Sequence, residues 1–367
     1  MNNWNRLIVA TLLLLLGTTG LGAAELEKTD LFVGGEGGYA VYRIPGVVTV
    51  GNTVLAYCEA RKHGGADWGE IDVVMRRSTD GGRTWAPQGK VVTPPADAKK
   101  NAVAPGRKHG GITVNNPVAI ADVADGVVHF LYCVEYNRCF YTRSGDGGAT
   151  FGEPVEITAT FEKFRPQYNW KVMATGPGHG IRLSSGRLLV PAWLSTSDGG
   201  HAHRPSCVAT IYSDDGGKTW ERGDVVPTPG LVNPSETAAV QLADGTVMLN
   251  VRHEGEPHHR AVVTGPDGAT GWGKVRFDAA LPEPVCMASL VRLGGGTLLF
   301  CNPHNPSGRE RKNLTVKRSG DGGTTWRTVR TIEPGPSAYS DMTAVGDEVL
   351  CLYERKGTLT LVRFAGD

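Results

Sequence analysis

The chain has 367 residues, 50 of them Gly and 22 Pro, with 38 Lys and Arg against 37 Asp and Glu. A formal net charge of +1 gives no electrostatic reason to expect nucleic acid or a membrane surface as partner. The Gly and Pro content suits many short strands joined by turns.

Residues 1–24 are unlike the rest. Arg6 is a short basic segment, Leu7–Gly17 is apolar, and Gly22-Ala23-Ala24 supplies small residues for cleavage. This order predicts a secretory signal peptide and a secreted or periplasmic protein. The apolar run is too short to cross a bilayer, so no membrane insertion of the mature chain is expected. Cleavage would remove one charge, Arg6, and leave a neutral chain.

Short β-branched and apolar runs follow in series. They are Val47–Tyr57, Ile71–Arg77, Val127–Val134, Cys139–Arg143, Arg187–Leu194, Ser206–Tyr212, Thr246–Val251, Thr297–Cys301, Leu314–Arg318 and Val349–Tyr353. After residue 25 no long segment has helical periodicity. Four of these runs end in one pattern, Ser-x-Asp-x-Gly-x-Thr-Trp or a close variant, at Ser78–Trp85, Ser144–Phe151, Ser213–Trp220 and Ser319–Trp326. A degraded fifth copy stands at Thr264–Trp272. Asp and the Gly pair supply the side-chain hydrogen bond and the positive φ of a tight hairpin. One hairpin unit recurring every ~50–70 residues predicts a repeat architecture.

The seven cysteines are 58, 133, 139, 207, 286, 301 and 351. Those in apolar strand runs read as buried free thiols. Cys133 and Cys139 flank a turn and are the one pair placed for a bridge. No Cys-x-x-Cys occurs, and no His or Cys spacing suggests zinc. The histidines at 63, 109, 179, 201, 203, 253, 258, 259 and 304 read as scattered surface loop residues. No metal and no cofactor are expected.

The repeated turn is the Asp-box, and from about Gly37 to Phe364 the chain resembles the bacterial retaining exo-α-sialidases. The resemblance implies an all-β, six-bladed β-propeller with its boxes on the rim opposite the active site. Residues 25–367 would be one catalytic domain, acting as a monomer. Its substrates would be sialylated glycans: glycoproteins, glycolipids and oligosaccharides ending in sialic acid.

The resemblance also assigns residues. In Tyr42-Arg43-Ile44-Pro45, an Arg in a strand between Tyr and Ile is costly without an anionic partner. The family makes Arg43 the first of three arginines that clamp the substrate carboxylate. Arg252, ending Met248–Arg252, is the second. In Gly308–Asn313 two residues compete for the third place: Arg311 fits the family spacing, and Arg309 is the reserve. Guanidinium forks meet carboxylate oxygens in pairs and stay charged. Arg61, in Glu59-Ala-Arg61, is similar to the residue near the sugar 4-hydroxyl. Asp67, in a Gly-rich loop before a strand and a box, matches the acid/base, with Glu70 and Asp72 as competing carboxylates.

Tyr339 corresponds to the nucleophile and Glu236 to the base that activates it. Sialic acid carries a carboxylate on its anomeric carbon, which repels an incoming Asp or Glu. A neutral phenol avoids that repulsion, but its pKa of ~10 requires a base. Asn115–Val118 and Gly176–Ile181 are similar to loops that line the site. Two other readings share these motifs. One is a trans-sialidase, intramolecular or not, whose acceptor rim would draw on Trp68, Tyr168, Trp170 and Trp193. The other is a non-catalytic Asp-box propeller that binds glycan.

Overall fold

In the computed structural model, residues 26–106, 109–198 and 200–366 are described, and the expected signal peptide at 1–24 lies outside them. The strands form six sheets whose four main strands pair antiparallel, five of them running outward in chain order, and the two-residue strand Gly178–His179 adds in parallel to the inner edge of one of them. Blade 1 is Val41–Val50, Thr53–Arg61, Ile71–Ser78 and Gly89–Lys90. Blade 2 is Val114–Asp122, Val127–Val134, Arg138–Ser144 and Val155–Glu156. Blade 3 is Val172–Thr175, Leu188–Ser195, Ser206–Ser213 and Glu221–Val225. Blade 4 is Thr237–Gln241, Val247–Val251, His259–Gly265 and Arg276–Pro282. Blade 5 is Ser289–Arg292, Leu298–Pro303, Lys312–Ser319 and Arg327–Pro336. Blade 6 takes Ser340–Val345, Glu348–Arg355 and Thr358–Ala365 from the end of the chain, and Lys28–Phe32 from its start. The inner strands of neighbouring blades meet around a common axis, with Ile181–Arg182 completing the inner edge of blade 3 against blade 4, which makes the fold a six-bladed β-propeller.

Each box turns the chain from the third to the fourth strand of its blade, in blades 1 to 5. Blade 6 has none because its third and fourth strands come from opposite ends of the chain, so no hairpin exists there to close. In the first box, Ser78 Oγ donates to Asp80 Oδ1 at 2.7 Å and accepts from the Gly82 amide at 2.8 Å. Asp80 also accepts from the Thr84 amide at 2.9 Å and the Thr84 hydroxyl at 2.6 Å. The degraded copy keeps the essential bonds, since Asp267 Oδ1 accepts from the amides of Ala269 and Thr270 at 2.9 and 2.8 Å. Gly265 replaces its serine, and a Cβ there would stand 2.7 Å from the Trp272 ring.

The second Gly of a box has two reasons to be Gly. Gly148 has φ 78°, and a Cβ on it would lie 2.4 Å from Leu55 of blade 1. Gly217 stands likewise against Tyr141 of blade 2, at 2.1 Å. The boxes therefore seat each blade on the one before it. Between blades lies the core, six apolar clusters with one at each blade-to-blade interface, such as Val118, Leu131 and Trp170 with Val190, Leu194 and Ile211 between blades 2 and 3.

The structure revises some of these expectations and bears out others. Val47–Tyr57 is two strands, because Gly51-Asn52 makes a turn within it. One short α-helix, Thr158–Glu162, stands between blades 2 and 3. All seven cysteines are buried free thiols, Cys133 and Cys139 included, although those two face each other across adjacent strands. The histidines are not all on surface loops: His253 is fully buried. His179 pairs through Nδ1 with Asp341 Oδ1 at 2.7 Å. Asp341 also accepts from the Val47 amide at 2.9 Å and the Ser289 hydroxyl at 3.1 Å. Blades 1, 5 and 6 are thus tied together two residues beyond Tyr339.

Candidate active site

Strand direction decides which side chains meet. In blade 1, Arg43 pairs in register with Glu59 and Arg61 with Ile71, while the box begins at the far end of the same sheet, at Ser78. Arg43, Arg61 and the loop holding Asp67 therefore share the face opposite the boxes. The same face receives Glu236, just before the first strand of blade 4, and Arg252, just after its second. It also receives Arg311, just before the third strand of blade 5, and Tyr339, just before the first strand of blade 6.

Tyr339 lies at the centre, only 5% exposed, on a floor of Ile44, Cys286 and Met287. Its hydroxyl donates to Glu236 Oε1 in a short hydrogen bond. Arg252 Nη1 donates to the same hydroxyl at 2.8 Å and also to Glu236 Oε2. The guanidiniums of Arg43 and Arg311 stand 5.3 and 5.4 Å from the centre of the Tyr339 ring. Burial and the Glu236 charge push the phenol above its ordinary pKa, and Arg252, Arg311 and Arg43 pull it down.

The three arginines are held differently. Arg43 donates from Nε to Glu354 Oε1 at 3.2 Å and from Nη1 to Asp67 Oδ1 at 3.4 Å. These are the anionic partners that a half-buried strand Arg requires, and Glu354 foremost raises its pKa. Arg252 keeps a buried Nε with no partner among the described residues. Arg311 donates through Nη2 to the Val285 carbonyl at 2.6 Å. Arg309 instead reaches outward to the Glu254 carbonyl, at 2.7 Å. Of the two competitors, Arg311 is the one beside Tyr339.

Asp67 is the most open of the group, its side chain 46% exposed. Oδ1 accepts from Arg61 Nη1 at 2.9 Å and, more loosely, from Arg43. Burial alone would raise its pKa, but the charges of Arg61 and Arg43 prevail and hold it below the usual value. Both rivals are engaged elsewhere. Glu70 pairs with Lys62 and His63. Asp72 accepts from the Tyr39 hydroxyl at 2.8 Å and pairs with Lys90 at 2.8 Å.

Arg61 is 1% exposed and also binds Glu59 through Nε and Nη2, at 3.0 and 2.6 Å. Glu59 accepts in turn from the Asn116 amide at 2.9 Å, which anchors the Asn115–Val118 segment to the site. Glu59 and Glu354 were not singled out from the sequence. Glu59 had a signal: two residues before Arg61 on one strand, it must share that residue's face. Glu354 is joined to Arg43 across 311 positions and has no local signal.

Of the proposed rim aromatics, Trp68 and Trp193 border this face, within a cluster that includes Tyr136. Trp170 does not. It is 1% exposed in the core between blades 2 and 3, and Tyr168 packs against that core.

Comparison with known proteins shows the family and the fold. A family model described as BNR repeat-like domain matches residues 52–352. A sialidase of Micromonospora viridifaciens is 29% identical over 92% of this chain and 53% of its own length. A sialidase of Bacteroides fragilis is 30% identical over 87% of this chain and 61% of its own. The chain thus spans between half and two thirds of these relatives. Among solved structures, a Hadza microbial sialidase superposes with a TM-score of 0.76 at 26% identity, over 92% of this chain and 68% of that one. Trypanosoma rangeli sialidase in complex with the inhibitor DANA shares the fold, with a TM-score of 0.72 at 19% identity over 93% and 60%.

Proposed function

The chain belongs to the BNR repeat-like domain family, and we propose that it is a retaining exo-α-sialidase that hydrolyses terminal sialic acid from glycoconjugates. The observation that carries this reading is the Tyr339 hydroxyl bonded to Glu236 and Arg252 within reach of two further guanidiniums. A phenol with a base on its proton and cations around it suits attack on a carbon that bears a carboxylate.

Arg43, Arg252 and Arg311 clamp that carboxylate and set the anomeric carbon over Tyr339. Tyr339 attacks it and passes its proton to Glu236. Asp67 protonates the departing glycosidic oxygen. In the second step Asp67 takes a proton from water, the water attacks the same carbon, and Tyr339 leaves with its proton returned by Glu236. In the free protein Asp67 is paired with Arg43 and Arg61 and held ionised. A bound carboxylate competes for Arg43, which loosens this hold and favours the protonated acid. Export to the periplasm or medium fits the residues at 1–24, and action as a monomer on sialylated glycans completes the proposal.

Two displacements at one carbon restore its configuration. Proton NMR of an aryl α-sialoside digest is therefore expected to show the α anomer of sialic acid first, with β arising only by later mutarotation. An initial β product rules out a Tyr339 intermediate.

The clamp has its own test. Arg311→Ala is expected to weaken binding of an unsaturated sialic acid analogue by at least ~2 kcal/mol, through loss of a charge-assisted contact. Arg309→Ala should change it by less than about twofold, since Arg309 faces away from Tyr339. Calorimetry on both variants decides, and the reverse ranking overturns the assignment.

A further inference from the structure

Tyr339 stands at the head of the first strand of blade 6, and the strand pairing reaches it, since the Glu354 amide donates to its carbonyl at 2.9 Å. Asp341 follows two positions on, so both side chains leave the strand on the same side, with Asp341 one step closer to the box face. Asp341 is 1% exposed, and His179 is its one charged partner among the described residues.

Three segments beneath Tyr339 end on this carboxylate. Val47, three residues after the floor residue Ile44, donates its amide to Oδ2. Ser289, two residues after the floor residue Met287, donates its hydroxyl to Oδ1. His179, in the strand added to the inner edge of blade 2, pairs with Oδ1 through Nδ1 at 2.7 Å. Gly178 has no room for a Cβ, which would stand 2.6 Å from Met287 Cε and 3.3 Å from Asp341 Oδ1. The Gly178–His179 strand is thus wedged between the floor and the carboxylate. A neutral donor in place of the imidazole would close the same hydrogen bond but leave the buried charge unmet.

A cavity of about 290 Å³ runs along the propeller axis from the box face to His179. Arg182, Gln241 and Arg292 line its mouth, and the His179 side chain is 14% exposed at its inner end. Water and protons therefore reach His179 without passing the substrate. Burial alone would lower the His179 pKa, but the Asp341 charge outweighs it and holds it above the ordinary value. The other titratable groups around the pair do not replace its charge. The Tyr57 hydroxyl donates to the Gly178 carbonyl at 2.7 Å, and burial keeps it and the Cys351 thiol neutral. Arg182 pairs with Asp122 at 2.8 Å, and Arg292 is exposed at the mouth. His179 is thus charged below its raised pKa. As pH rises through that value the proton leaves, and Asp341 stays buried without a cation.

We propose that His179 and Asp341 are positioning residues for Tyr339, a charged tie that draws the Ile44, Met287 and Gly178 segments to one point and so fixes the phenol against Glu236 and the arginine clamp. This rests on the sialidase reading. Neither residue contacts Glu236 or a clamp arginine among the described residues, so the pair acts through the placement of Tyr339. A shift of about 1 Å at a reacting group can cost ~10²-fold in rate.

The test follows kcat on an activated aryl α-sialoside, and calorimetric binding of an unsaturated sialic acid analogue, from neutral to alkaline pH. On this substrate the phenolate departs without a proton, so Asp67 contributes little to any alkaline fall. In wild type, kcat is expected to fall about tenfold or more as His179 titrates, while binding holds within about threefold. His179→Gln keeps a donor but not the charge. It should show the same split already at neutral pH, with no further fall where wild type titrates. His179→Ala should regain at least about fivefold in kcat when imidazole is added, because the channel leads to the vacated place. The tie is overturned by a His179→Gln kcat within about twofold of wild type, by binding that falls in step with kcat, by an alkaline fall of equal size in the variant, or by no gain from imidazole. If neither variant folds, wild type decides: an alkaline loss of kcat with binding held supports the tie, and a flat kcat or a parallel loss overturns it. Wild type inactive at every pH overturns the sialidase reading, whereas an active wild type with an unaffected His179→Gln overturns the tie alone.

Discussion

Tyr339→Phe is expected to lower kcat on both natural and aryl sialosides by on the order of 10³-fold or more. The substitution removes a single oxygen. That oxygen is the atom that Glu236 and Arg252 both contact. The ring keeps its place on Ile44, Cys286 and Met287. Arg252 and Glu236 remain paired with each other, so no buried charge is left alone. Folding and the carboxylate clamp should therefore survive, and an unsaturated sialic acid analogue should bind within about threefold of wild type. The split matters more than the size. An interaction used only in the transition state lowers kcat and leaves ligand binding alone. A Phe variant within tenfold of wild-type kcat would show that Tyr339 is not the nucleophile. A variant that lost analogue binding in step with kcat would make it a positioning residue.

Legibility in the sequence follows the range of the interactions. A box is legible because all its bonds lie within eight consecutive residues, Ser78 to Trp85 in the first case. The fifth copy is weaker on the page than in space, since Asp267 still gathers its amides although the serine is gone. Blade 6 carries no box, because its outer strand is Lys28–Phe32 from the other end of the chain. Arg43 could be flagged as an Arg that needed an anion, but not that the anion is Glu354. Asp67, Glu70 and Asp72 compete within one loop and strand, and only the folded backbone sends Glu70 to Lys62 and Asp72 to Tyr39. Trp68 and Trp193 could be picked out as rim aromatics, but not Tyr136 and His203, whose ring contacts with them join blades 1, 2 and 3 and have no local signal.

Asp67→Ala is expected to separate substrates by the quality of their leaving groups. An acid matters most when the departing oxygen is strongly basic. Sialyl-lactose loses a sugar alkoxide and needs the proton, whereas an activated aryl sialoside loses a phenolate that departs with little help. The variant should therefore lose 10²-fold or more on sialyl-lactose, within the range typical of general acid catalysis, and much less on the aryl substrate. Tyr339→Phe should slow the two evenly, because no leaving group replaces a nucleophile. Part of the Asp67 effect is electrostatic: without its carboxylate, Arg43 keeps only Glu354 and becomes freer for the substrate. KM for the aryl substrate should then fall or hold, not rise. Glu70→Ala should spare both substrates, since Glu70 is spent on Lys62 and His63. If Glu70→Ala shows the loss that depends on the leaving group and Asp67→Ala does not, the acid lies three residues further along the loop, and the Arg43–Asp67 contact is only structural.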